Sequence, residues 1–207
     1  MPNDPFYSKE WPTEAEPYRH LEPYLQCWLQ PERMFAGKRI LDIGAGECVY
    51  TRLIAEKYHP KEIVALEQFR ERMIPTLRVN QNQALKFIAG DCLDLPFLDG
   101  SFDFVWGNSI LCDLYPFDQV VLEIRRVLKK DGRYVGWEPN PFNPVILYRY
   151  LFKPRSHKQH LFWPHRMRHI FENHGFQVTI RYFYAKFPVL RDRFLGTCTG
   201  IIAERID

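Results

Sequence analysis

Ten consecutive residues, Arg39-Ile40-Leu41-Asp42-Ile43-Gly44-Ala45-Gly46-Glu47-Cys48, restrict this chain more than any other segment. They read as a short buried strand with an acid near its end that runs directly into two glycines. Gly44 and Gly46 remove side chains where the backbone must turn sharply and approach a ligand. A second apolar strand, Ile63-Val64-Ala65-Leu66-Glu67, also ends in a carboxylate. It lies about 20 residues beyond the glycines, the spacing at which such folds hydrogen-bond a ribose.

Two nucleotide readings compete here. A nicotinamide-binding turn would carry three glycines and seldom an acid before them. This chain has Cys48 near the third glycine position and Asp42 ahead of the turn. A buried carboxylate needs a charged or hydrogen-bonded partner, so Asp42 favours a ligand with a cationic end. S-adenosylmethionine (SAM), with its ammonium and sulfonium, has one. The bland alternative is an ordinary strand-turn-helix connection.

The segments that follow add weight. A strand Leu85–Ala89 leads into Gly90-Asp91-Cys92-Leu93-Asp94-Leu95-Pro96-Phe97. Then come Ser101-Phe102-Asp103-Phe104-Val105-Trp106-Gly107-Asn108, a helical stretch ending Arg126-Val127-Leu128-Lys129-Lys130-Asp131-Gly132, and a strand Arg133–Glu138. In order and spacing, Arg39 to Glu138 resembles the class I SAM-dependent methyltransferases, within them the small-molecule branch of the ubiquinone and menaquinone type. The resemblance implies that Asp42, Gly44, Ala45 and Gly46 line the methionine end of SAM. It implies that Glu67 binds both ribose hydroxyls and that Gln68 and Phe69 flank the adenine. Asp91 would accept from the adenine amino group, with Cys92 and Leu93 beside it, and the Asn108 backbone would face the methionine portion. Cys48 departs from the pattern and puts the tightness of the turn in doubt.

Strands expected at 39–43, 63–67, 85–89, 102–107 and 133–138 alternate with helices at 49–58, 70–82 and 118–129, the last capped by Asp118. Pro75 should delay or kink the second of these. Alternation calls for a parallel sheet with helices on both faces, its ligand outside the carboxyl ends of the strands. Strands near 176–184 and 197–206 complete a Rossmann-like α/β sheet of seven. The resemblance implies that the last strand is antiparallel. The 207 residues suffice for one domain. It divides into an N-terminal helical cap (1–36), a SAM-binding core (39–138), an acceptor-side insertion (139–174) and C-terminal strands (175–207). A helix over 17–29 would place Tyr18, Leu21, Leu25 and Trp28 near one face, either closing over the cofactor or packing on the core.

Acceptor-side candidates follow the fourth and fifth strands. Asp113 is a candidate base, and Tyr115 lies in the same loop. Glu138 and Asn140 either face a substrate or bond their own proline-rich loop. Residues 145–174 interleave aromatic side chains with Arg149, Arg155, Arg166 and other cations, and hold five of the seven histidines. Such an insertion suits an anionic or aromatic acceptor, or contact with a lipid surface or carrier; the alternative is a solvated basic face. His165 is a third candidate acid–base group. His165 and His169 share helix spacing but lack a companion Glu, so no metal site is expected.

A net charge of +3 is too small to imply nucleic acid. The chain starts without a secretory signal pattern, and its five cysteines are scattered and odd in number, which fits a reducing cytoplasm. Cys48, Cys92 and Cys112 map near the expected pocket, where burial explains them and a thiol-seeking acceptor is a remote alternative. Three functions remain open: methyl transfer to O or N of a small molecule, methyl transfer to a lipid-linked or carrier-bound acceptor, and SAM binding without catalysis. Oligomeric state is not legible.

Overall fold

The computed structural model describes residues 21–152, 162–184 and 192–206. Tyr18, Lys153, Arg155, His157, Lys158 and His160 lie outside them. Two short helices, α1 (Glu22–Gln26) and α2 (Pro31–Phe35), precede β1 (Arg39–Ile43). The core alternates through α3 (Val49–Lys57), β2 (Glu62–Glu67), α4 (Arg70–Val79), β3 (Leu85–Ala89) and β4 (Phe102–Asn108). A 3₁₀ turn, Leu111–Asp113, leads into α5 (Phe117–Val127) and β5 (Leu128–Pro139). Then come α6 (Pro144–Phe152), α7 (Pro164–Asn173), β6 (Phe176–Phe183) and β7 (Cys198–Arg205).

The strands form one sheet of seven in the order β3-β2-β1-β4-β5-β7-β6. β1 pairs in parallel with both β2 and β4, and β7 runs antiparallel to β5 and β6. The order reverses beside β1, so β1 and β4 open the crevice where an α/β sheet takes its ligand. Central strands read as unbroken apolar runs because helices cover both sides. On one side α5 and α7 bury Val120, Ile124, Met167 and Phe171 over Leu41, Val105 and Tyr134. On the other, α3 and the N-terminal helices bury Leu53, Ile54, Leu25 and Phe35 over Ile40, Ala65 and Trp106.

Several expected boundaries move. α5 starts at Phe117 with Pro116 at its cap and no capping side chain. Asp118 instead lies in the first turn and pairs with His174 at 3.0 Å. β5 begins five residues early because Leu128 already pairs with Phe102 across a register shift at Asp103. Pro75 sits inside α4 without delaying its start, and the helix stops at Val79. The described part of 17–29 breaks after Gln26. It takes the core-packing option: Leu25, Trp28 and Leu29 are buried, and Trp28 stacks on Phe183 with centroids 5.5 Å apart.

Candidate functional site

β1 ends in a turn that packs too tightly for side chains. A Cβ on Gly44 would lie 2.4 Å from the Ile110 side chain, and one on Gly46 would lie 2.8 Å from the Arg72 guanidinium. Both glycines have positive φ, 64° and 55°. Cys48 adopts the same left-handed region at φ 61°, so it fills the third glycine's backbone role despite its side chain. The cost for a non-glycine residue is about 1–2 kcal/mol. Burial of the thiol between α3 and the sheet opposes that cost.

Side-chain parity decides where the strand-end acids go. Asp42 pairs in register with Ala65, and Glu67 lies two residues beyond, so both acids share the α3 side of the sheet. Asp42 is buried and accepts from Thr51 Oγ1 at 2.5 Å. Burial pushes its carboxyl up to about 7, with Thr51 opposing the shift and the Glu67 charge adding to it. A carboxyl so placed is one that a cation would stabilise in its ionised form.

Glu67 clasps the turn. Its Oε2 accepts from Gly46 N–H at 2.9 Å and its Oε1 from Phe69 N–H at 3.2 Å. Arg72 approaches the same Oε2 at 3.6 Å and reaches Glu47 at 3.3 Å, lying across the glycine turn. Two carboxylate oxygens offer about four acceptor positions, so Glu67 retains capacity for hydroxyl donors. Next to it Gln68 and Phe69 are exposed, the Phe69 ring by 54%. From β3, Gly90 leads to Asp91, exposed and accepting from Leu93 N–H at 2.9 Å, with Cys92 buried beside it. Asn108 ends β4, opposite the β1 turn, and its buried Oδ1 has no partner.

A SAM-like group fits these residues. The orphaned Asn108 acceptor and the buried Asp42 carboxyl suit a cationic end. The glycine cradle and spare Glu67 capacity suit a ribose, and exposed Phe69 offers a flat apolar surface for a base.

Glu138 belongs to the opposite side of the sheet, with Tyr134 and Gly136 in its parity. It is fully buried. Its oxygens accept from the N–H groups of Ile110, Leu111 and Cys112 at 3.1, 2.9 and 3.3 Å. Burial raises its carboxyl to about 7 while those donors oppose the shift. It therefore tethers the start of the 3₁₀ turn.

Asn140 is likewise consumed. Its Nδ2 donates to the carbonyls of Arg193 and Gly196 at 2.8 and 2.7 Å, and its Oδ1 accepts from Phe142 N–H. It ties a loop. Asp113 is part-buried in the 3₁₀ turn, within 3.7 Å of the Cys112 thiol. Tyr115 is exposed, its ring 6.2 Å from that of Phe117. His165 is exposed on the first turn of α7 beside Trp163. Among the described residues no hydrogen bond or ion pair joins it to Asp113 or Glu138. Arg149 is exposed on α6.

The three cysteines near the site are buried, and burial pushes each thiol up, Cys92 to about 12. That environment disfavours thiolates. Among the described residues there is no cluster of ligands able to hold a metal. A cleft of about 840 Å³ opens at the other end of the strands, around Lys38, Asp103, Arg133 and Arg181. It contains none of the glycine-turn or strand-end residues.

Sequence reasoning missed Thr51, Arg72 and Ile110. Thr51 lies one turn into α3, where its hydroxyl can reach back to a strand-end acid. That spacing was the available signal. Arg72 and Ile110 carry no local signal, since their roles come from β2 and β4 lying on either side of β1.

Comparison with known proteins bears on the domain and the fold. Residues 41–136 match the family model described as a methyltransferase domain. A fatty-acid O-methyltransferase of Mycolicibacterium smegmatis is 32% identical over 106 residues, which are 51% of this chain and 38% of that protein. A demethylmenaquinone methyltransferase of Listeria welshimeri is 31% identical over 105 residues, 49% of this chain and 44% of the relative. The matched part thus spans less than half the length of either relative. Among solved structures, a SAM-dependent methyltransferase from Mesorhizobium loti superposes with a TM-score of 0.73 at 14% identity, covering 90% of this chain and 98% of that one. One from Archaeoglobus fulgidus gives 0.66 at 18% identity, covering 91% of each chain. At such identities the structural likeness establishes the fold. From Leu41 to Gly136 the chain is thus similar to a methyltransferase domain, and its fold is that of the SAM-dependent methyltransferase structures it superposes on.

Proposed function

We propose that this protein transfers the methyl group of SAM to an oxygen or nitrogen atom of a small-molecule acceptor. The observation that carries the reading is the pairing of Glu67, clamped to the Gly46 N–H yet with acceptor capacity to spare, with Asp42 buried on the same face. In this reading Glu67 holds the ribose hydroxyls. Asp42, oriented by Thr51, and Asn108 face the charged end beside Gly44, Ala45 and Gly46. Gln68 and Phe69 flank the adenine, with Asp91, Cys92 and Leu93 along its other edge. SAM supplies an activated methyl group, so the protein needs no covalent nucleophile. Its task is to hold the acceptor in line behind the methyl group, about 3 Å away, and to keep water out.

The acceptor side begins at the 3₁₀ turn. Glu138 sets the backbone there, and Asp113 within that turn is the remaining carboxylate placed to take a proton from a hydroxyl acceptor. Tyr115, two residues beyond that turn, and Arg149, on the helix that follows β5, are both exposed. Their mixture of aromatic and cationic character suits an aromatic or anionic acceptor. Incubating the protein with methyl-labelled SAM and a panel of phenols, carboxylic acids and amines tests the reading. Acceptor-dependent release of S-adenosylhomocysteine is the expected result. Tight SAM binding with no release for any class would favour a binding module without catalysis.

A further inference from the structure

α6 presents an anomaly. It is a nine-residue helix, Pro-Val-Ile-Leu-Tyr-Arg-Tyr-Leu-Phe, and none of its residues is buried. Val145, Tyr148, Leu151 and Phe152 lie on one face by helical spacing, each 58–68% exposed. The Tyr148 and Phe152 rings pack with centroids 5.1 Å apart, forming one aromatic surface. Phe194 and Leu195, from the turn before β7, are also exposed. The half-buried face holds Ile146 and Leu147. A helix apolar on both faces calls for a second apolar medium. Contiguous apolar patches of this kind mark interaction surfaces.

The patch is also built to stay in place. Asn143, buried, caps the helix by accepting from the N–H groups of Val145 and Ile146, and its Nδ2 donates to Leu195 carbonyl at 3.0 Å. Asn140 ties the same turn at Arg193 and Gly196. Two buried amides thus fix the helix and residues 194–195 as one unit. They hold it just beyond the carboxyl end of β5.

Charge selects the occupant. No acidic residue occurs between Glu138 and Glu172, a stretch that contains six Lys and Arg residues. Arg149 is exposed on α6 itself. Beside Phe194, Arg193 is exposed as well, and the one neighbouring carboxylate, Asp192, accepts from the N–H groups of Phe194 and Leu195. A two-fold contact between copies would bring Arg149 and Arg193 towards their own equivalents, which like charges oppose. A surface that is both apolar and negatively charged at its polar boundary satisfies both properties.

We propose that the exposed face of α6, with Phe194 and Leu195, docks on an anionic lipid bilayer, with Val145, Tyr148, Leu151 and Phe152 entering the interface and Arg149 and Arg193 meeting headgroups. Docking would set the acceptor side of the site against lipid. The surface itself does not rest on the methyl-transfer reading; only its consequence for the acceptor does.

Co-sedimentation with phosphatidylglycerol vesicles and with pure phosphatidylcholine vesicles tests it, without any acceptor present. Binding to the anionic vesicles should be at least tenfold stronger, and should weaken with added salt. The double variant Leu151→Ser/Phe152→Ser should lose it at least tenfold. These positions are exposed, so the fold should survive, and unchanged S-adenosylhomocysteine affinity checks that. The single variant Tyr148→Ser gives a milder second test. No binding to either vesicle, equal binding to both, or full binding by the double variant would overturn the proposal. So would a concentration-dependent dimer that the double variant abolishes. Labelled methyl transfer to soluble acceptors, measured separately, keeps a failed docking distinct from a failed enzyme.

Discussion

Two buried glutamates end two strands of the same sheet, and they meet opposite surroundings. Glu67, at the end of β2, accepts from Gly46 and Phe69, and faces a turn whose neighbouring side chains are exposed. Glu138, near the end of β5, accepts from three successive N–H groups and is sealed off. The difference teaches that a strand-end carboxylate becomes a ligand group only if its lone pairs are left over after the local backbone has been served. Side-chain parity separates the two as well, placing Glu67 on the α3 side and Glu138 on the α5 side. In the proposed reading one holds a ligand, and the other holds the loop against which an acceptor would be presented.

The strongest break in this comparison is removal of the tether. Glu138→Ala leaves two buried donors and one part-buried donor unpaired, and should lower unfolding free energy by about 3 kcal/mol or more, as read by urea denaturation. Its effect on cofactor affinity should be small at temperatures where the variant stays folded. Next in size is Glu67→Ala, which would remove the charge-assisted bonds to the ribose that the proposed reading gives this residue. It should weaken S-adenosylhomocysteine binding by about 1.5–3 kcal/mol, roughly 10- to 100-fold, with little loss of stability.

The pH dependence sharpens the contrast further. Asp42 and Glu138 both have folded pKa values raised to about 7. Their contribution to apo stability is therefore fully present below the ordinary carboxylate range and is lost as pH rises through about 7. A cation beside Asp42 favours the ionised form, so SAM binding should release a proton near neutrality. SAM affinity should rise roughly tenfold between about pH 6 and 8 and level off above. Calorimetry in buffers of different ionisation enthalpy would show it, and Asp42→Asn should flatten it. The smallest effect concerns Arg72, whose guanidinium competes for Glu67. Arg72→Ala should raise S-adenosylhomocysteine affinity by about 2- to 5-fold, the size expected of a partly exposed ion pair. A loss of affinity instead would mean that Arg72 grips the nucleotide.

The fold and the glycine turn with its strand-end acids were legible in the sequence because their signals are local. Glycines with forced backbone geometry sit next to strands that end in acids, and each acid reports its own position. The acceptor side carries no such signal. For Glu138 and Asn140 the sequence left two options open, facing a substrate or bonding a loop, and the chain brought residues 110–112 and 193–196 against them. Nothing within a few positions of either residue announces those partners. The early start of β5 has the same origin, since only pairing with Phe102 makes Leu128 a strand residue. Cys48 shows the converse: the sequence marked it as a departure, and the chain absorbed it by adopting the glycine conformation anyway.

The account stands most directly on one side-by-side titration. S-adenosylhomocysteine should be titrated into the wild-type protein, Glu67→Ala and Glu138→Gln, with a nicotinamide dinucleotide as the control ligand. The account predicts tight binding by the wild type, a roughly 10- to 100-fold loss in Glu67→Ala, a change within a few-fold in Glu138→Gln, and no dinucleotide binding. Undiminished binding in Glu67→Ala, or a loss confined to Glu138→Gln, would contradict it.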